Sequence, residues 1–135
     1  MDTVVNISLC FLICITYVAF GQNTGTKPLS VHVLDTTFGG NAPNMTCKLF
    51  KKRSSPLHNE KFDLIATAVT DSDGRINTFL SIENYQFGIY RLWFGVRDYY
   101  YSHGISTFYP QTQITFKNID GSAYHIPLII SPYAV

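Results

Sequence analysis

Near its C-terminus the chain reads Ala123-Tyr124-His125-Ile126-Pro127-Leu128-Ile129-Ile130-Ser131-Pro132-Tyr133, the most apolar stretch that follows the N-terminal segment. Side chains of a β-strand point alternately to its two faces, so one face of this stretch holds Tyr124, Ile126, Leu128 and Ile130. Four large apolar groups on one face predict a strand packed on a hydrophobic core. His125 then lies on the outer face beside Pro127, which cannot donate a ladder hydrogen bond. The outer face of this strand is therefore the candidate location of functional groups.

A second alternating stretch, Leu29-Ser30-Val31-His32-Val33-Leu34, lies near the start of the predicted domain. Its pattern predicts a strand that directs Leu29, Val31 and Val33 into the core. His32 and Ser30 then share the opposite face. The sequence therefore places two histidines, His32 and His125, on the outer faces of two strands.

The stretch Asp71-Ser72-Asp73-Gly74 predicts a tight turn, because Gly74 can adopt a positive φ that other residues avoid. Arg75 is then the first side chain of the following strand, next to a rigid turn. The acidic turn resembles the start of a calcium-binding loop, but the later ligands and the closing glutamate of that pattern are missing. We therefore expect no calcium at this turn.

Turn residues recur at short intervals along the chain and separate about seven short apolar stretches. In one of these, Phe87 to Phe94, the residues Ile89, Leu92 and Phe94 compete for the core without a clean alternation. A short helix is predicted after it, with Asp98 as its N-cap and Gly104 just beyond its C-terminus. The pattern predicts an all-β fold, an antiparallel β-sandwich of two sheets with one short helix.

The composition fits one globular domain. The chain has 135 residues, of which 46% are hydrophobic and 15% aromatic, enough to fill a single core. Ten basic and nine acidic residues give a formal charge of +1, which is too balanced for the phosphate neutralisation that nucleic-acid binding requires. We therefore expect no nucleic-acid partner.

The N-terminal residues resemble a secretory signal. The apolar run from Ile7 to Phe20 is about 14 residues long, shorter than the roughly 20 that a membrane-spanning helix needs. A cleavage site follows, so we expect a signal peptide over 1–21, a linker over 22–27 and one domain over 28–135. The first residues include no lysine or arginine, which leaves an uncleaved signal-anchor as the alternative. After cleavage no stable membrane span remains, and we expect a secreted or secretory-pathway protein; the alternative is a peroxisomal or cytoplasmic one.

Cleavage would remove Cys10 and Cys14 and leave Cys47 as the single cysteine. One cysteine cannot form an internal disulfide, so the domain must fold by packing alone. Cys47 alternates with Met45 and Leu49, which predicts a small buried side chain. Asn44 begins a glycosylation sequon and is a candidate modification site if the chain is secreted.

The chain contains three motifs in this order: Val31-His32-Val33-Leu34-Asp35, Thr70-Asp71-Ser72-Asp73-Gly74-Arg75 and the C-terminal run that ends at Tyr133. Together they resemble the transthyretin and 5-hydroxyisourate hydrolase superfamily. The resemblance implies the transthyretin fold, with two four-stranded sheets and a homotetramer built as a dimer of dimers. It also implies an active site on the outer sheet face, where two dimers meet.

The hydrolase branch has His, Arg and His at the positions of His32, Arg75 and His125, where transthyretin has Lys, Glu and Thr. The resemblance therefore implies hydrolysis of 5-hydroxyisourate, a small purine-derived substrate, in urate breakdown toward allantoin. His32 and His125 would be catalytic, one taking a proton from water and the other protonating the leaving nitrogen. All three residues would bind the substrate, and Arg75 would stabilise its negative charge. No cofactor is then required, and two histidines alone make a poor zinc site.

Two other functions stay open. A secreted binding protein of the transthyretin type would hold a small ligand without turnover, and a structural sandwich would only contact other proteins. Hydrolases of this family end in Tyr-Arg-Gly-Ser, whereas this sequence ends Pro132-Tyr133-Ala134-Val135. If the protein stops there, we expect weak tetramer formation and slow turnover, because a sheet that lacks its last strand has an unpaired edge.

Overall fold

A computed structural model describes residues 29–54 and 60–134 of the chain. The predicted signal peptide (1–21) and linker (22–27) lie outside these residues. The described part contains eight strands and one helix, which are β1 (Leu29–Asp35), β2 (Gly40–Asn41), β3 (Thr46–Lys52), β4 (Phe62–Val69), β5 (Arg75–Ile76), β6 (Gly88–Phe94), α1 (Val96–Ser102), β7 (Thr112–Asn118) and β8 (Tyr124–Ile130). Within the same residues, no helix has the length and apolar character needed to cross a membrane.

The strands form two four-stranded sheets, so the predicted all-β sandwich is confirmed. In the first sheet, β2 and β5 pair antiparallel with β1 along one edge, and β8 pairs with it along the other. The second sheet has the order β4-β3-β6-β7 and is antiparallel throughout. The pairing of β1 with β8 is parallel, which is possible because these strands are joined through most of the chain and not by a hairpin.

The hydrophobic core lies between the inner faces of the two sheets. Three residues of β1 and two of β8 are buried there, namely Leu29, Val31, Val33, Leu128 and Ile130. Burial of one such side chain contributes about 1.5–3 kcal/mol to the free energy of unfolding. The predicted alternation of both strands is therefore confirmed, and the residues between the buried ones point to the outer face.

Cys47 of β3 lies in this core, as its spacing from Met45 and Leu49 predicts. Its side chain is fully buried and forms no disulfide, and burial raises the pKa of the thiol to about 12. A thiol that stays protonated at neutral pH is a poor nucleophile. Cys47 therefore acts as a small apolar core residue.

The structure decides the core positions of β6. Of the three residues that compete for the core in the sequence, Leu92 and Phe94 are buried, whereas Ile89 is only half-buried on the other face and Tyr90 is buried in its place. Tyr90 can occupy the core because its hydroxyl donates a hydrogen bond to the backbone oxygen of Gln86 at 2.6 Å. A buried tyrosine needs such a partner for its polar end.

The helix begins before the predicted cap. Gly95 is the N-cap of α1 and no side chain caps the helix, so the prediction that Asp98 is the N-cap is wrong. Asp98 lies in the first turn, where a negative charge is favoured by the helix dipole. At the other end, Gly104 has a φ of 71°, as expected for the residue that follows a helix C-terminus.

Asp35, the last residue of β1, attaches α1 to the first sheet. Its carboxylate is 1% exposed and accepts hydrogen bonds from the hydroxyls of Tyr99 at 3.1 Å and Tyr100 at 2.9 Å. The backbone N–H of Thr37 donates a third bond at 2.8 Å. Burial raises the pKa of both tyrosines, that of Tyr100 to about 12, so both hydroxyls keep their protons and remain donors.

The turn before β5 is as tight as its sequence predicts. Gly74 has a φ of 69°, and a Cβ atom at this position would lie 2.4 Å from the backbone oxygen of Val33. Both the positive φ and this close approach require glycine. The N–H of Val33 donates to the Gly74 oxygen at 2.8 Å, so the turn holds Arg75 directly beside β1.

Candidate active site

The central strand β1 collects the predicted site residues on the outer face of the first sheet. His32 lies opposite Arg75 of β5, and Ser30 lies opposite His125 of β8. Because β5 and β8 flank β1 on its two edges, their outward side chains approach His32 from both sides. The three residues predicted from the sequence, His32, Arg75 and His125, therefore share one surface.

The two histidine rings are close neighbours. Their centroids are 6.3 Å apart and their planes are inclined by 43°. His125 is exposed, and His32 and Arg75 are half-buried. Rings at this spacing can both contact one small substrate, so the geometry allows them to act on the same molecule.

Each histidine has a hydrogen-bond partner on the same surface. Ser30 Oγ lies 2.9 Å from His125 Nδ1, and Asn41 Oδ1 lies 3.3 Å from His32 Nε2. The sequence pattern places Ser30 on this face but assigns it no role, and Asn41 is missed because it lies in a turn-rich stretch without periodicity. Together Ser30, His32, Asn41, Arg75 and His125 form what we call the histidine surface.

The histidine surface is suited to an anionic ligand. Ion pairs within the described residues join Lys52 to Glu60, Arg53 to Asp63 and Arg97 to Asp98, and none of them involves this surface. Arg75 thus has no carboxylate partner in residues 29–54 and 60–134. The same residues contain no group of three or more His, Cys, Asp or Glu side chains that could hold a metal ion.

The sheet face next to the histidine surface is apolar. A shallow cavity of about 210 Å³ lies there, lined by Leu34, Ile129, Asp35, Thr36, Gly39 and Gly40. Leu34 and Ile129 are cross-strand neighbours, and Ile129 is 56% exposed. Leu34 and Ile129 therefore add apolar surface beside the histidine surface.

Asn44, the candidate glycosylation residue, is exposed in the turn before β3. It has a φ of 61°, and its backbone N–H donates to the oxygen of Thr70 at 3.0 Å. Its side chain is accessible, and its modification stays a prediction.

Comparison with known proteins gives the family. Residues 29–135 match the family model for transthyretin, described as the HIUase/Transthyretin family. The chain is 37% identical over 112 residues to a 5-hydroxyisourate hydrolase from Ralstonia nicotianae, and this match covers 78% of this chain and 92% of that relative. It is 30% identical over 112 residues to the 5-hydroxyisourate hydrolase of Mus musculus, which covers 82% and 92% of the two chains.

A solved structure agrees with these sequence matches. The crystal structure of transthyretin from Sparus aurata has a TM-score of 0.73 and 26% sequence identity, and the match covers 80% of this chain and 91% of that one. The family model spans both sheets and the helix, and the motifs that hold the histidine surface lie within it. The chain therefore belongs to the HIUase/Transthyretin family.

Proposed function

We propose that this protein hydrolyses 5-hydroxyisourate to 2-oxo-4-hydroxy-4-carboxy-5-ureidoimidazoline, a step of urate degradation. The observation that carries this proposal is the joint placement of His32, Arg75 and His125 on one sheet face. The names of the relatives in Ralstonia nicotianae and Mus musculus support the same activity.

Opening a cyclic amide with water requires a proton acceptor for the water and a proton donor for the leaving nitrogen. Two imidazoles whose centroids are 6.3 Å apart can supply both functions to one ring. Arg75 carries a permanent positive charge, so it binds the anionic substrate and stabilises the oxygen that becomes negative as water attacks. We assign the proton transfers to His32 and His125 and the charge stabilisation to Arg75.

The hydrogen bonds to the histidines indicate which ring nitrogen is active. An amide oxygen only accepts, so Asn41 Oδ1 keeps the proton on His32 Nε2 and leaves His32 Nδ1 for proton transfer. A hydroxyl can accept from His125 Nδ1–H, and this arrangement leaves Nε2 as the active atom of that ring. We therefore propose Ser30 and Asn41 as positioning residues that hold the inactive nitrogen of each ring.

Replacing Ser30 with alanine should lower kcat by about tenfold, the effect of losing one neutral hydrogen bond. Ser30→Thr keeps the hydroxyl and should restore most of the rate, which a purely structural role would not require. The nitrogen chemical shifts of His125 should show that its proton no longer prefers Nδ1 in Ser30→Ala, whereas in wild type and in Ser30→Thr it does. The matched control is Ser106→Ala, an exposed serine outside the site. Equal rates for Ser30→Ala and wild type would exclude the positioning role.

The alternative function is ligand binding without turnover, as in the transthyretin branch. The two functions differ in stoichiometry, because a binding protein removes at most one equivalent of ligand. We expect protein at one hundredth of the substrate concentration to consume all freshly generated 5-hydroxyisourate faster than the buffer control. Depletion that stops at one equivalent would favour a binding protein.

We also propose that the protein assembles as a homotetramer, a dimer of dimers, in which the histidine surface faces a neighbouring dimer. Its apolar surroundings, with Ile129 56% exposed, support this arrangement. Burial between dimers would exclude water and strengthen the electrostatic contribution of Arg75. Sedimentation velocity measures the assembly.

We further propose that the chain enters the secretory pathway, because of the apolar run and the cleavage site near its N-terminus. When it is expressed in a eukaryotic cell, the secreted protein should begin at Gln22. N-terminal sequencing of the protein from the medium and from the cell lysate identifies the first residue in each fraction. Protein with an intact Met1 in the cytosolic fraction would contradict secretion.

A further inference from the structure

The outer face of the second sheet bears a second pocket, far from the histidine surface in the fold. Cross-strand pairing places Phe50 of β3 beside Arg91 of β6, and Trp93 of β6 beside Gln113 of β7. A cavity of about 260 Å³ opens between them, lined by Phe50, Glu60, Phe62, Arg91, Trp93 and Gln113. Three of its six lining side chains are aromatic, and a guanidinium lies among them.

A strand irregularity helps to form the pocket. The register of β3 against β4 shifts between Leu49 and Phe50, where Ile65 of β4 is the extra residue. Such a bulge bends the strand and changes the direction of the side chains near it. Phe62, beyond the bulge, lies under the guanidinium of Arg91, with 3.8 Å from Arg91 Cζ to the centroid of the ring.

Arg91 is held in place before any ligand arrives. Its guanidinium stacks on Phe62, and its Nε–H donates to Thr115 Oγ1 at 3.3 Å. No ion pair of Arg91 with a carboxylate occurs in the part of the chain that the structure describes. An Arg side chain that stacks on an aromatic ring and has no carboxylate within salt-bridge distance in the described residues can bind a ligand carboxylate with two parallel hydrogen bonds.

The charges around the pocket favour an anion. Lys48 Nζ lies 4.9 Å from the centroid of the Trp93 ring and adds a second cation to this face. The one carboxylate of the lining, that of Glu60, pairs with Lys52 Nζ at 2.9 Å. The hydrogen bond from Lys52 and, to a smaller extent, the charge of Arg91 lower the pKa of the Glu60 carboxyl, so cations predominate around the pocket. The Trp93 indole N–H donates a hydrogen bond to Gln111 Oε1, which fixes the orientation of the ring at the side of the pocket.

We propose that this pocket is a binding site for a small planar organic carboxylate, with the carboxylate on Arg91 and the ring of the ligand against the aromatic side chains of Phe50 and Trp93. The volume of about 260 Å³ is close to the lower end of the roughly 300–1,000 Å³ range of ligand pockets, so we expect a single-ring ligand. The site lies on the sheet opposite the one that holds the histidine surface, and it does not depend on the hydrolase activity.

The test uses the fact that Trp93 is the only tryptophan of the chain, so its fluorescence reports on this pocket alone. Benzoate should change the Trp93 emission in a saturable way, and benzamide, which has the same shape without the charge, should not. Arg91→Gln should weaken benzoate binding by about tenfold or more, because it removes the charge-assisted pair. The matched control Arg97→Gln, at an arginine whose side chain is 70% exposed beside Asp98, should leave the affinity unchanged.

An NMR titration tests the same binding site without relying on fluorescence. Benzoate should shift the Arg91 Nε–H and the Trp93 indole N–H signals at the same ligand concentrations. The inference is overturned if the emission does not saturate, if benzamide binds as well as benzoate, or if Arg97→Gln and Arg91→Gln weaken binding equally. It is also overturned if His32→Ala abolishes the benzoate response, because the ligand would then occupy the histidine surface.

Discussion

Replacing His125 with alanine is expected to lower kcat/KM for 5-hydroxyisourate by about 100-fold or more, the usual effect of losing a positioned acid or base. His32→Ala and Arg75→Ala should each have an effect of the same order, because the reaction needs two proton transfers and a stabilised oxyanion. None of the three side chains lies in the hydrophobic core, so the free energy of unfolding should change little. Initial rates and urea unfolding of the same preparations test both statements.

The matched control for this series is His103→Ala. His103 is the C-cap residue of α1, and it contacts the ring of Phe38, not the histidine surface. Its replacement should leave kcat/KM within about twofold of wild type, because no reacting group is lost. Wild-type rates in a folded His32→Ala or His125→Ala protein would exclude the proposed catalytic roles. Unfolded variants would instead show that the histidines are structural.

Asp35→Ala is expected to lower the free energy of unfolding by about 3 kcal/mol or more. The change leaves two tyrosine hydroxyls and the Thr37 N–H without their acceptor in a buried location, and each such loss costs about 1–3 kcal/mol. The end of α1 that carries Tyr99 and Tyr100 should detach first. Urea unfolding followed by circular dichroism measures the effect.

Asp98→Ala is the matched control for Asp35→Ala. Asp98 is on the same helix, but its side chain is 75% exposed and pairs with Arg97. An exposed pair of this kind contributes about 0–1 kcal/mol, so the stability loss should be small. Equal losses for Asp35→Ala and Asp98→Ala would show that the buried hydrogen bonds do not hold the helix.

The faces of the strands are predictable from the sequence, but the partners of the strands are not. Alternation in β1 and β8 assigns Leu29 and Ile130 to the core and His32 and His125 to the outside, as the structure confirms. The parallel pairing of β1 with β8 joins the two ends of the domain, and no local pattern contains that information. The alternation of apolar residues therefore cannot predict the distance between the two histidines. Only the family resemblance implies that they lie close together.

Asn41 shows why part of the site could not be predicted. It lies in a turn-rich stretch, and only the short pairing of β2 with β1 brings its amide to the ring of His32. Turn residues have no periodicity from which the direction of a side chain can be derived. This hydrogen bond and the one between Ser30 and His125 both depend on how the strands pair, and the local sequence does not contain that information.

The second sheet is less predictable than the first. The sequence of β6 mixes aromatic, aliphatic and charged residues, so Ile89 and Tyr90 compete for the core, and only the pairing with β3 and β7 decides between them. Lys51 and Lys52 extend β3, because the strand pairs with β4 as far as Phe62. The pocket around Arg91 depends on this extension and on the bulge.

The most direct test of the proposed function is the initial rate at which freshly generated 5-hydroxyisourate disappears, measured with wild-type protein, with the double variant His32→Ala/His125→Ala and with no protein. The account predicts rapid decay with wild-type protein and a rate with the folded double variant that lies close to the rate in buffer. Decay with wild-type protein no faster than in buffer, or a double variant as fast as wild type, would contradict it.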